Sequence, residues 1–220
     1  MTADAKQRAC LGVMLVAMTT MIGNAGGVSA AELWQTRSLP SNDGYTWTLT
    51  SRIGNMLKGA EAMFGERDKA WTILGVEVCM DQGATPQNWY PGSPARKDII
   101  FQITSAEDMQ HACYQLAHEV IHSLSPHVGK TATVLEEGVA TWFARWYVKK
   151  SFGLEIGAEL ESYRNAYQSV DALLKQDRQA VLKLRKVEPN FDKMTVATFR
   201  AAGVVATDDV VRDLLKIFER

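Results

Sequence analysis

A chain of 220 residues, 46% hydrophobic and 22% charged, is long enough for one substantial core, or one core with a small satellite, and needs no staple to fold. Its formal net charge of -1 provides no electrostatic footprint for nucleic acid or an anionic membrane surface. A nucleic-acid partner is therefore not expected.

At the N-terminus, Lys6 and Arg8 precede an apolar run over residues 9–22, and Val28, Ser29 and Ala30 supply small residues at cleavage spacing. The pattern predicts a signal peptide over residues 1–30, cut after Ala30, and an exported chain, periplasmic or secreted. A membrane-spanning helix needs about 20 apolar residues, and Gly23, Asn24, Gly26 and Gly27 break this run early. No stable membrane anchor is expected after cleavage. Cys10 lacks the flanking residues of a lipoprotein signal and would leave with the signal, so Cys79 and Cys113 remain. Sequence spacing does not decide whether they pair.

Residues 31–220 read as one domain. Residues 31–50 are polar and suggest an extended arm or short strand. Ile53, Met56, Leu57, Ala60, Met63 and Phe64 recur at helical spacing, predicting a helix over residues 51–66. Residues 71–80 read as a strand, residues 81–97 as an irregular loop rich in proline and glycine, and residues 98–104 as a second strand. A helix capped by Thr104 or Ser105, with Glu107 or Asp108 as the first-turn acid, then runs up to Pro126. A third helix covers residues 134–151 and closes at Gly153. From residue 155 the chain is helical with breaks near residues 186–190 and Gly203. Thr207 caps a last helix whose inner face is Val210, Val211, Leu214, Leu215 and Phe218. The predicted class is α+β, a small and mostly antiparallel sheet with a predominantly helical remainder.

The chemistry is concentrated in HEVIH, residues 118–122. Residues four apart share one helix face, so His118 and His122 can direct their imidazoles to one point, as two zinc ligands do. Glu119, about 100° round the helix, can reach a water held by that metal and act as its general base. The competing reading is a core helix whose histidines bond to neighbours. It leaves a glutamate charge buried in an apolar run, at a cost on the order of several kcal/mol unless paired.

A catalytic zinc takes a third protein ligand. His127 is out of register for the pattern H-E-x-x-H-x-x-G-x-x-H and reads as a loop histidine at the cleft rim. The alternative lies in LEEGVATWFARW, residues 135–146. Together, His118-Glu119-Val120-Ile121-His122 and Glu137-Gly138-Val139-Ala140 resemble the gluzincins, zinc peptidases with two histidines and a downstream glutamate. The resemblance covers roughly residues 98–146. It implies Zn²⁺ held by His118, His122 and Glu137, with Glu137 rather than Glu136 as the third ligand, and Glu119 as general base. It further implies that the strand before the motif helix is the edge along which substrate lies extended. Gly138 and Ala140 would let the second motif helix pack closely on the first. The interval after His122 is shorter than in aminopeptidase-like gluzincins, and their Gly-x-Met-Glu-Asn motif is absent, so capture of a substrate amine is not expected.

Among other candidates, His111 reads as structural, and Cys113, about 140° from His118 by the helical period, faces away from the metal. Trp142 and Trp146 read as core. Tyr147, Tyr163 and Tyr167 are candidate donors to a developing oxyanion, and sequence does not choose among them. The expectation is an exported zinc peptidase acting on a peptide or protein. A binding or assembly protein that keeps this scaffold and a zinc amidase for a cell-wall linkage are the alternatives.

Overall fold

The computed structural model describes residues 33–39, 44–79, 81–105, 108–129, 131–158 and 160–220. The predicted signal peptide, Cys10 and Glu107 lie outside them. The fold is α+β, with seven helices and a three-stranded sheet among the described residues. No described helix is long and apolar enough to cross a membrane.

Helix α1 (Leu49–Phe64) starts at a capping box between Thr48 and Ser51 and buries Leu49, Ile53, Met56, Ala60 and Phe64. Strands β1 (Thr72–Val78), β2 (Gln87–Trp89) and β3 (Asp98–Ile103) are ordered β1-β3-β2. β1 runs parallel to β3 and β2 antiparallel to it. The sheet is thus mixed where mostly antiparallel pairing was expected, and β2 lies inside the segment expected to be an irregular loop. Pro86 and Pro91 flank that short strand without having to donate within it. The strand before the motif helix is also central rather than an edge. β3 buries Ile99, Phe101 and Ile103, and β2 takes the edge instead.

Helix α2 (Met109–His122) carries the first motif. Its cap is Asp108, which accepts from the His111 N–H at 2.8 Å. Thr104 and Ser105, the expected caps, instead donate their backbone N–H groups to Gln115 Oε1 at 2.8 and 2.9 Å. They tie the end of β3 to the flank of α2 while the chain turns. The helix ends before Pro126, which disfavours helical backbone in the residue ahead of it.

Helix α3 (Val134–Phe152) is capped by Thr133 and, as expected, closed by Gly153, here at φ 71°. It packs between α2 and α4 (Glu161–Gln176). Gly138 faces α4 rather than α2: a Cβ there would collide with the Ala166 carbonyl oxygen and lie 2.5 Å from Val170 Cγ2. The small residue thus serves a close helix approach, but on the opposite side from the one expected. Trp146 stacks on Phe143 at 5.4 Å, and Trp142 meets Phe64 edge-on and donates to Asp171 at 3.2 Å, so both pack against the core as expected.

Helices α5 (Ala180–Val187), α6 (Val196–Ala201) and α7 (Asp208–Leu214) close the fold. α7 is capped by Thr207 and buries Val211 and Leu214, but Val210 is exposed. Phe218 is buried from beyond the helix, in a segment that pairs with the start of α3. Val134 N–H donates to the Lys216 carbonyl and Phe218 N–H to the Ala132 carbonyl, each at 2.9 Å. Cys79 and Cys113 are both free thiols, and burial raises the Cys113 pKa to about 12.

Candidate active site

The helical period and the α2–α3 contact bring three side chains to one point. His118 and His122 lie one turn apart on α2, and Glu137 enters from the first turn of α3. His118 Nε2 is 3.0 Å and His122 Nε2 3.8 Å from Glu137 Oε2. One ligand atom from each lies within 4.8 Å of the others, so the group could hold a metal ion. Tetrahedral bonds of about 2.0–2.1 Å to nitrogen and oxygen separate donors by roughly 3.3 Å, and the two shorter distances bracket that value. Two imidazoles and one carboxylate suit a borderline cation such as Zn²⁺. With 12%, 16% and 9% of these side chains exposed, the group keeps a small exposed side.

That side opens into a cavity of about 1110 Å³, which Glu119 also lines. Glu119 is only 3% exposed. Burial raises its pKa, opposed by the charges of His122 and His118. Glu137 is held low: burial opposes its charge, but the His122 charge and the His118 hydrogen bond outweigh that.

Glu136, set aside in favour of Glu137, has its own duty. It is fully buried and accepts from His122 Nδ1 at 2.8 Å and from His127 Nε2 at 2.9 Å. Those two hydrogen bonds overcome burial and hold its pKa down to about 2. Burial likewise disfavours the charged His122 ring, yet the Glu137 charge and the Glu136 hydrogen bond raise its pKa to about 10. The Glu136 bond places the proton on Nδ1 and leaves Nε2 turned toward Glu137. A carboxylate behind a ligand histidine fixes its tautomer and raises its basicity. Glu136→Gln is therefore expected to weaken metal binding by roughly 10–100-fold while the fold persists. Competition with a chromogenic chelator measures it.

His127 lines the cavity as expected for a rim residue, and it is tied to Glu136 rather than to the ligand group. His111 bonds Asp108 through Nδ1 at 2.6 Å, completing the cap of α2, in keeping with a structural role. Of the three tyrosine candidates, Tyr163 alone lines the cavity, its ring 5.8 Å from that of His118. Tyr147 is buried beside Phe143 and accepts from Arg52. Tyr167 lies under the Arg145 guanidinium, 4.1 Å away. Burial and the nearby Glu137 charge raise the Tyr163 pKa to about 12, so its phenol keeps its proton at neutral pH.

Comparison with family models, with curated proteins and with solved structures finds no match. The geometry therefore carries the functional reading.

Two further residues at the site have no sequence signal. Asn88 on β2, with its amide oriented to satisfy both groups, donates to the Glu119 carbonyl and accepts from the Ser123 N–H, each at 3.2 Å. It ties the edge strand to the end of the motif helix. Arg220 reaches the cavity from the far end of the chain. Neither position follows a period or a motif.

Proposed function

We propose that the chain is an exported zinc-dependent peptidase, with His118, His122 and Glu137 holding the metal and Glu119 acting as general base. The observation that carries this reading is the convergence of two imidazoles and a carboxylate within 4.8 Å, beside a nearly buried Glu119 in one open cavity. The gluzincin resemblance of residues 118–122 and 137–140 supports the same assignment.

When bound, the zinc supplies Lewis-acid polarisation of the scissile carbonyl and a lowered water pKa. Glu119 accepts the proton of the attacking water and returns it to the leaving amine, so hydrolysis needs no covalent enzyme intermediate. Tyr163, still protonated, donates a hydrogen bond as charge develops on the carbonyl oxygen. Residues 85–90 lie along the cavity, and among the described residues β2 bonds to a neighbouring strand on one side only. Its outer edge takes the extended substrate by strand addition, with main-chain bonds that are tolerant of sequence.

An internally quenched peptide library tests the proposal. Cleavage by the zinc-supplemented protein, abolished by a chelator and restored by zinc, is the expected result. A zinc-loaded protein that leaves every peptide intact would contradict it, and hydrolysis confined to cell-wall amides would assign the same site to another substrate.

A further inference from the structure

The C-terminal segment places a guanidinium in the cavity. Residues 216–218 pair with residues 132–134 through the Val134–Lys216 and Phe218–Ala132 backbone bonds and the Thr133–Ile217 bridge. Residues 132–134 lead directly into α3, where Glu137 lies in the first turn. The position of the segment relative to the metal-ligand group is thus set by main-chain hydrogen bonds. Phe218 is buried, with its ring 4.7 Å from Tyr163. Two residues on, Arg220 lines the same cavity as His118, Glu119, His122 and Glu137, and its Nη1 donates to Thr85 Oγ1 at 3.0 Å. Thr85 immediately precedes Pro86 and β2, so this bond joins the segment to the approach of the edge strand.

We propose that Arg220, held by Thr85 at the cavity, binds a carboxylate of the substrate. The proposal rests on the peptidase reading and adds a substrate class to it: peptides carrying a carboxylate beside the cleavage point. A guanidinium has five N–H donors in a planar fork that matches a carboxylate in two parallel bonds. Thr85 takes one donor, and the Arg220 charge acts on the nearby Tyr163. No ion pair within 4.0 Å is found for Arg220 among the described residues, while its charge also acts on Glu119. The other charged groups described around the cavity include Asp108, Glu119 and Glu137. Those three repel a substrate carboxylate, and Arg220 is the one guanidinium among the described residues lining the cavity. Substrates with that group are then bound in one register against β2.

The test is equilibrium binding to the zinc-loaded full chain carrying Glu119→Gln, so that nothing is consumed. Three probes are acetyl-trialanine as the free acid, the same peptide as its C-terminal amide, and acetyl-Ala-Asp-Ala amide. The acid is expected to bind at least about tenfold more tightly than the amide, with the ratio falling to about one when Arg220→Gln is added. Arg220→Lys should recover part of it. Tight binding of the aspartyl amide as well would assign the site to acidic side chains, and tight binding of the free acid alone would assign it to a peptide C-terminus. A merely structural Arg220 would weaken acid and amide together and leave the ratio unchanged. An acid-to-amide ratio near one with Arg220 present, a preference that survives Arg220→Gln, or no binding of any probe would overturn the proposal. Because no step is hydrolytic, a peptidase with no acid preference sinks this inference alone. An acid preference without hydrolysis in the library sinks the peptidase reading instead.

Discussion

Replacing Glu119 with glutamine is expected to lower peptide hydrolysis by about 10²–10⁴-fold, the usual contribution of a positioned general base, with zinc content unchanged. Glutamine keeps the volume and one carbonyl oxygen of the side chain and removes only its capacity to accept and return the proton. Glu119 follows His118 directly, yet the group that could hold a metal ion is completed by Glu137 from α3. Loss of the base should therefore leave the ligands in place. The expected signature is a fall in kcat with KM little changed, because the missing interaction belongs to the transition state. Steady-state kinetics on any cleaved peptide, beside elemental analysis of the same preparation, reads both. Near-normal kcat with zinc bound would remove Glu119 from the chemistry.

Arg185→Ala is expected to destabilise the fold by about 3–5 kcal/mol, since it strands several buried carbonyls at once. Arg185 is 5% exposed and gives all its hydrogen bonds to backbone oxygen. Nε donates to Pro189 at 3.1 Å, Nη1 to Phe64 and Gly65 at 3.0 and 2.8 Å, and Nη2 to Glu66 and Leu124 at 3.0 Å each. Those carbonyls include the C-terminal end of α1 and the turn just past α2, where orphan acceptors gather and the helix dipoles favour a cation. One side chain of α5 thereby holds the ends of two helices, one of them the motif helix. For a chain of this size the loss corresponds to a fall in Tm of roughly 10 °C. Arg185→Lys should recover only part of it, because an ammonium cannot match the fork. Thermal melts of the two variants and the parent check this. A parent-like Tm for Arg185→Ala would mean that water replaces the guanidinium at little cost.

What could be read from sequence depended on how local the signal was. His118, Glu119 and His122 were legible because a spacing of four on one helix is local geometry. Glu137 needed the resemblance, since Glu136 and Glu137 are adjacent and both buried. The fold separates them by direction, Glu137 toward the ring Nε2 atoms and Glu136 toward Nδ1 of His122. β2 was hidden because Pro86 and Pro91 signal a loop and three residues are too few to show alternation. The reading of β3 as an edge came from the resemblance, and in the fold β2 lies outside it. Gly138 signalled close packing against the motif helix, and α4 proved to be the partner instead. Arg220 and the pairing of residues 216–218 with residues 132–134 had no signal, because contacts between distant segments leave no period in the chain.

The central claim is that His118, His122 and Glu137 together hold one zinc ion. Elemental mass spectrometry of the purified protein beside Glu137→Ala tests it most directly. The account predicts about one zinc per chain in the parent and little or none in the variant after dialysis against a weak chelator. A parent that takes up no zinc even after reconstitution, or a variant that keeps it undiminished, would contradict the site.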